Sequence, residues 1–471
     1  MMTTVGTEAQ PLRVAIIGSG PSAFYAADHL LKQSDLVVEV DMFDRLPTPF
    51  GLVRGGVAPD HQKIKTVTKA FNLVAKNPRF RFFGYVEYGK DLSHADLVEH
   101  YHQILYATGA QSDRHMGIPG EDLTNSFPAT AFVAWYNGHP DYRHLQFDLS
   151  QERVAVVGVG NVAIDVARIL CLSHEELART DIADHALEAL SKSNIKEVYL
   201  LGRRGPAQAA FTTPEVKELG ELEEADVVAI PSEVALDDVS RADLEAGGDK
   251  AAQKKVELLQ GYAQRAPEGK KRRLIFRFLV SPTEVLGDSD GRVAGLRLAK
   301  NELYASESGS IASRATGETE DLPVGLVFRS VGYRGSPLVD VPFNERWGTF
   351  LNQKGRIIDP TSQQPKIGEY TAGWIKRGPS GVIGTNKPDA VETVQCMLED
   401  LATGQVLNPS HAERESIEKL VQERQPNYVT FADWQHLDEI EVANGAATGR
   451  PRVKFTRIED MLAALGKNVT A

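Results

Sequence analysis

Two segments of the same build constrain this chain more than anything else in it: Gly18-Ser19-Gly20-Pro21-Ser22-Ala23 and Gly158-Val159-Gly160-Asn161-Val162-Ala163. Each follows a short β-branched run, Arg13-Val14-Ala15-Ile16-Ile17 before the first and Arg153-Val154-Ala155-Val156-Val157 before the second, as a buried parallel strand requires. Each opens a segment with a helical apolar face, Phe24 to Leu31 and Ile164 to Leu170. In a strand-turn-helix unit of this kind, the first glycine (Gly18, Gly158) permits the tight turn. The second (Gly20, Gly160) lets backbone amides approach a pyrophosphate, and the positive end of the helix favours its charge. Ala23 and Ala163 occupy the third glycine position, which serves only helix–strand packing and tolerates a methyl group. A lone G-x-G-x-x-A arises by chance in a chain with 40 glycines, so the flanking strand and helix carry the inference.

The pattern predicts an α/β fold with two Rossmann-like dinucleotide-binding domains and two dinucleotides, a flavin and a nicotinamide working together. The residue ending the second strand of each unit decides which ribose it accepts. In the first unit that strand reads Val37 to Asp44, and Asp44 lies about twenty residues past the glycines, where an acid bonds an unphosphorylated adenosine ribose. Asp41 competes for that role, although it lies inside the strand pattern, where it can face solvent. In the second unit Val198-Tyr199-Leu200-Leu201 runs into Gly202-Arg203-Arg204-Gly205-Pro206. Two guanidiniums stand in the acid's place, and their planar forks suit the 2′-phosphate of NADP.

Return strands close each unit, Gln103 to Ala110 for the first and Val324 to Tyr333 for the second. The second unit is therefore inserted into the first. The expected domains are 1–112 (FAD, first part), 113–332 (NADP) and 333–471 (FAD, second part, with a C-terminal helical tail). Between the motifs lie a charged stretch, Asp237 to Lys271, and an antiparallel-looking portion, Leu274 to Leu303. At 471 residues the chain holds several cores, and its formal charge of -12 argues against nucleic acid as a partner. Cys171 and Cys396 are far apart in apolar helical patterns, as packing thiols are. No stretch reaches transmembrane length and Met1 to Leu12 has no signal-peptide core, so a cytoplasmic protein without membrane insertion is expected.

Several longer runs carry a resemblance: Leu46-Pro47-Thr48-Pro49-Phe50-Gly51-Leu52-Val53-Arg54, Val57-Ala58-Pro59-Asp60-His61, Gly158 through Arg168, Gly202 to Pro206, Phe211-Thr212-Thr213-Pro214-Glu215, and Gly373 through Asn386. The chain resembles the adrenodoxin reductase-like family of ferredoxin–NADP reductases, in its bacterial branch, over nearly its whole length. The resemblance implies FAD contacts at Ala23, Asp44, Leu52, Val86, Trp374 and Gly381-Val382-Ile383. It implies NADP contacts at Arg114, Val159, Gly160, Asn161, Val162, Arg203, Arg204, Glu215 and Gly381. It also sets His61 and Glu215 near the reacting rings, the histidine to relay protons and the glutamate to position the nicotinamide carboxamide. Family members typically carry Glu at the ribose position, so the shorter Asp44 must approach more closely or bond through water. Tyr370 to Trp374 reads as a strand, and Gly381 to Thr385 as a turn opening a helix that favours an anionic reduced flavin.

The implied reaction passes a hydride between NADPH and FAD and single electrons between FAD and a ferredoxin-type iron–sulfur protein, which docks transiently through charge. The basic patch expected for docking is Lys270-Lys271-Arg272-Arg273 with Lys254 and Lys255, or arginines near the ring cleft. Two alternatives stay open from residues alone: an NADPH-dependent flavin monooxygenase, and a non-catalytic flavin-bearing electron-transfer subunit. A dithiol–disulfide reductase lacks its cysteine pair here, and no metal site or iron–sulfur motif is present. In the tail, Ala412 to Glu423 and Thr456 to Leu465 read as helices around Trp434, with no legible role.

Overall fold

The computed structural model describes residues 5–247, 249–307 and 309–467. They form two compact units: one takes residues up to Val57, His61–Ser112 and Gly332 onward, the other Ala58–Asp60 and Asp113–Val331. The second is thus inserted into the first along the sequence.

In the first unit seven strands form one sheet, in the order Asn352–Gln353, Arg356–Ile358, Pro365–Thr371, Gln103–Tyr106, Leu12–Ile17, Val38–Asp44, Phe80–Gly84. The last five pair in parallel; the first two add antiparallel. Leu12–Ile17 is buried along its whole length because both faces are covered: Leu12, Val14 and Ile16 enter one core cluster, Ala15 and Ile17 another. A two-residue side-chain period thereby turns one continuous apolar run into two separate cores.

In the second unit six strands are all parallel, in the order Ser126–Pro128, Leu326–Arg329, Arg153–Val157, Glu197–Leu201, Arg272–Arg277, Ala225–Ala229. Val154 and Val156 face a helix-covered core; Ala155 and Val157 face a three-stranded antiparallel sheet, Val280–Gly287, Val293–Ala305 and Ile311–Leu322. The expected antiparallel portion therefore begins and ends later than its sequence suggests. Leu274-Ile275-Phe276 belongs to the parallel sheet, where it is buried between neighbouring strands, and the antiparallel pairing runs on to Leu322. Helices Asp238–Gly247 and Lys250–Gln264 occupy the charged stretch.

The described residues of the tail hold three helices, Arg414–Arg424, Phe431–Ala446 and Ile458–Ala464. The middle one, missed in the sequence reading, buries Trp434 and Leu437 against the first unit's core. Among the described residues no helix is long and apolar enough to cross a membrane.

Candidate functional site

The first glycine turn joins Leu12–Ile17 to the helix Pro21–Leu31 at the carboxyl end of the parallel strands, where open α/β sheets bind ligands. Gly18 has φ +99, and a Cβ there would stand 2.5 Å from the Ala107 carbonyl oxygen, so only glycine fits. A Cβ on Gly20 would meet nothing within 4 Å. Gly20 caps the helix without a side-chain acceptor, so the first amides point into that open space. Ala23 is fully buried, as its packing role requires.

Asp44 ends the second strand and grips this turn. One oxygen accepts from the Ser19 backbone amide (3.0 Å) and hydroxyl (2.5 Å), the other from the Leu46 amide (2.9 Å). Burial pushes its carboxyl above the ordinary range although these donors pull the other way. The Phe50 amide bonds the Ser19 carbonyl (2.9 Å), and Gly51 lies so close that its Cβ would be 3.1 Å from the Gly20 Cα. Phe50 itself holds φ 84, a strained geometry for an aromatic residue, kept by packing on Phe24 and Trp434. The Val86 amide bonds the Asp44 carbonyl (2.9 Å), and Leu52 opens the short helix Leu52–Gly55. Asp41 does not face solvent: it is 1% exposed and pairs with Arg13 (2.6 Å) and Arg81 (2.7 Å) while accepting from the Tyr101 hydroxyl (2.8 Å). It braces the strand, which leaves Asp44 as the strand-end acid.

An ion pair from the tail, unread in the sequence, fixes the same loop. Arg54 forks onto Glu441 with contacts of 2.8 and 2.5 Å and lies over the Trp434 ring at 5.1 Å. Glu441 is fully buried, also meets Arg452 (3.0 Å), and accepts from the Phe455 amide (2.8 Å). These cations hold its carboxyl below the ordinary range against the cost of burial. The sequence signal was present, since Thr430 and Asp433 form a reciprocal capping box that starts this helix.

The expected strand through Trp374 stops at Thr371; Gly373, at φ +82, turns the chain, and Trp374 opens the short helix Trp374–Arg377. A Cβ on Gly373 would press to 2.4 Å on the Ser22 hydroxyl, so this turn lies against the first glycine helix. The Trp374 indole donates to the Ser380 carbonyl (3.1 Å) and packs beside Tyr333 at 5.4 Å. Gly381, at φ +79, and exposed Val382 lead through the turn Ile383–Thr385 into the helix Asn386–Ala402, as the sequence predicts.

The second glycine turn repeats the first with different fastenings. Gly158 has φ +133, with a would-be Cβ 2.2 Å from the Ser330 carbonyl oxygen, whereas Gly160 again faces open space and caps its helix without a side chain. The Val159 carbonyl accepts from the amides of Ala210 (2.9 Å) and Phe211 (3.0 Å), and Asn161 accepts from the Thr212 amide (2.8 Å). Val162 packs against the helix-side core. The loop that follows the two arginines is thus tied to the turn by neutral amides. Buried Lys255 donates to the Ala209 carbonyl beneath it. Arg203 is exposed, and Arg204 reaches the Ile311 carbonyl (3.4 Å). Arg114 is exposed on a loop of the same unit.

Glu215 sits in the first turn of the helix Thr213–Leu219, 3.5 Å from Arg168. Arg168 is itself buried and paired with Asp60 (2.7 Å) and Asp165 (2.8 Å), which explains why Ala58–Asp60 clusters with the second unit. Half-buried His61 precedes the helix Gln62–Lys65 in the first unit.

The expected basic patch is spent on ion pairs. Lys270 meets Glu268 (3.3 Å), Lys271 meets Glu224 (2.5 Å), Arg272 meets Glu224 (3.3 Å), Arg273 meets Glu197, and Lys254 meets Glu257 (3.1 Å). Both cysteines are free and buried, with the Cys171 thiol pushed up to about 12 by burial.

The sequence profile of the pyridine nucleotide-disulphide oxidoreductase family matches residues 12–201. NADPH-ferredoxin reductase FprA of Mycobacterium tuberculosis (strain ATCC 25618 / H37Rv) is 48% identical over 463 residues, spanning 96% of this chain and 99% of that protein. The mitochondrial NADPH:adrenodoxin oxidoreductase of Arabidopsis thaliana is 42% identical over 466 residues, spanning 97% and 95%. The solved structure of Mycobacterium tuberculosis FprA in complex with NADPH matches with a TM-score of 0.91 at 48% identity, covering 97% of this chain and 100% of that one. The chain belongs to the NADPH-ferredoxin reductase family, in the adrenodoxin reductase-like group, and is a flavoprotein oxidoreductase that uses FAD and NADP(H). Its residues fit those groups: Gly20 and Gly160 each leave open space before an uncapped helix N-terminus, and Arg203 is exposed beside the second.

Proposed function

We propose that this chain is a ferredoxin–NADP reductase that binds FAD at the first glycine turn and NADP(H) at the second. One observation carries the assignment: two turns of the same build, each a positive-φ glycine against a carbonyl oxygen and a second glycine facing open space, end their neighbouring strands in opposite charge, Asp44 beside one and Arg203-Arg204 beside the other. An acid accepts ribose hydroxyls and repels a 2′-phosphate, while guanidiniums do the reverse.

When bound, FAD exchanges a hydride with NADPH and single electrons with an iron–sulfur protein. The chain's part is to bind, orient and tune. Gly20 and Gly160 open the amides of their helices to the two pyrophosphates, and Asp44 holds the first turn and meets the ribose. Leu52, Ala23 and Val86 shape the first site. Trp374 and the turn Gly381-Val382-Ile383, which leads into the helix Asn386–Ala402, would hold the flavin, and the positive end of that helix would favour its anionic reduced form. Val159, Asn161, Val162 and Arg114 line the nicotinamide dinucleotide, and Glu215 positions the carboxamide. His61 is the proton relay. The partner is a ferredoxin-type protein held briefly through charge. Two free, buried cysteines suit a reducing cytoplasm.

Rapid mixing of the flavin-loaded enzyme with NADPH tests the reading. The flavin absorbance should bleach, faster than with NADH, and cytochrome c should be reduced only when a ferredoxin is added. Substrate-stimulated NADPH consumption with a hydroxylated product, or no bleaching at all, overturns it.

A further inference from the structure

The longest run of this chain without an acidic residue lies between Asp60 and Glu87, and it carries Lys63, Lys65, Lys69, Lys76, Arg79 and Arg81. In a protein of formal charge -12 such a run is a local exception. Arg81 is engaged internally with Asp41 (2.7 Å), and Arg79 meets Glu8 (3.0 Å). The lysines lie on the helices Gln62–Lys65 and Thr68–Ala75 and at the end of the second. Lys63, Lys69 and Lys76 are exposed and form no salt bridge among the described residues.

Their arrangement is that of an interface. Lys69, Leu73 and Lys76 follow at helical spacing on one face, and Leu73 is 68% exposed, with Ile64 at 44%. The opposite face of the same helix buries Phe71 and Val74. Phe71 stacks on Phe24 at 4.9 Å and touches Phe50 at 6.0 Å. Phe24 belongs to the helix opened by the first glycine turn, and Phe50 precedes Gly51, which lies against Gly20. The helix Thr68–Ala75 and the stack of Phe71 on Phe24 therefore lie between this lysine face and the turn assigned to FAD. Exposed apolar side chains ringed by unpaired charges of one sign fit a small, short-lived interface with a partner of opposite sign.

We propose that the face built from Lys63, Ile64, Lys69, Leu73 and Lys76 docks the iron–sulfur electron acceptor through acidic residues around its cluster. A cluster held by thiolates carries net negative charge, so an acceptor that presents it at its surface is complementary to lysines. The proposal rests on the ferredoxin-reductase reading above and gives that partner a place on the chain. It replaces the Lys270–Arg273 patch, whose cations are already neutralised by Glu268, Glu224 and Glu197.

The test is the holoenzyme carrying Lys63→Glu, Lys69→Glu and Lys76→Glu together, with a small acidic [2Fe–2S] ferredoxin as probe. The variant should keep its flavin spectrum, its rate of bleaching by NADPH and its ferricyanide reduction. Its KM for the ferredoxin should rise about tenfold or more, equivalent to about 1.4 kcal/mol, and the salt dependence of that KM should flatten. The pair Lys270→Glu and Lys271→Glu should leave KM unchanged. An unaltered KM in the triple variant, with the wild type reducing the ferredoxin, overturns the docking face alone. Failure of the wild type to reduce it, despite rapid bleaching by NADPH, overturns the partner reading and the face with it. Wild-type binding to phosphatidylserine vesicles that is lost in the triple variant, with ferredoxin kinetics unchanged, reassigns the face to a lipid surface.

Discussion

The two glycine turns are near-copies in backbone and opposites in how they are held. Both put a glycine with positive φ against a carbonyl oxygen and a second glycine against open space. The first is gripped by a carboxylate, Asp44, and its following loop is anchored from the far end of the chain by the Arg54–Glu441 pair. The second is gripped locally by neutral amides, through Val159, Asn161 and Thr212. A turn meant for a ribose can spend an acid on its own rigidity. On the proposed assignment, a turn that takes a 2′-phosphate must keep acids away, so its fastening is uncharged and Arg203 is left exposed.

The largest test of that contrast is Glu441→Gln, which leaves Arg54 and Arg452 without their buried partner and should cost about 3–5 kcal/mol. Its effect should fall on FAD retention, measured as flavin released on dilution, while NADPH affinity of the enzyme that stays loaded is unchanged. Equal losses at both cofactors would mean the tail does not act on the first turn selectively.

Next come the glycines. Gly158→Ala meets the Ser330 carbonyl in a backbone that disfavours a side chain, and should lower stability by about 1–3 kcal/mol in thermal melting. Gly160→Ala has room in the protein, so its melting temperature should match the wild type while its Kd for NADPH rises about tenfold or more, about 1.4 kcal/mol. A Gly160→Ala enzyme that binds NADPH normally would show that the open space is not a pyrophosphate cradle.

Removing both guanidiniums with Arg203→Ala and Arg204→Ala should raise KM for NADPH about 10- to 100-fold, the worth of one or two charged hydrogen bonds, and leave KM for NADH nearly alone. Parallel loss of both substrates would break the charge assignment of the second turn.

The smallest effect is one of pH. At the end of the first strand remote from the glycine turn, the Arg13 amide donates to His102 Nδ1 (3.0 Å), and burial, with the Arg13 charge nearby, pushes His102 down to about 4. Its folded value lies below its unfolded value of about 6.5. The stability it contributes is therefore complete above about pH 6.5 and is lost as pH falls towards 4. His102→Asn should flatten the fall of melting temperature across that window, measured by thermal melting from pH 7 to pH 4.

How much of this was legible before the fold was known varies residue by residue. Strands, turns and strand-end residues were readable because each depends on a few neighbours in sequence. Asp41 was not, because nothing local says that Arg13, Arg81 and Tyr101 converge on it. The helix Phe431–Ala446 hid for a related reason: its inward stripe of Phe431, Trp434 and Leu437 continues into Glu441, a charge where the pattern asks for an apolar residue. Lys270–Arg273 misled in the other direction, since Glu224 and Glu197, which meet three of its four cations, come from other segments.

By itself, the sequence determined that the chain folds as two Rossmann-like units and which charge ends the strand beside each glycine turn, because a glycine turn and the strand end beside it are local chemistry. Tertiary structure decided which charges remain available. Pairing depends on segments far apart in the chain meeting in space, so only the fold shows that Glu441 fastens Arg54, that the obvious basic run is neutralised, and that Lys63, Lys69 and Lys76 are left facing outward.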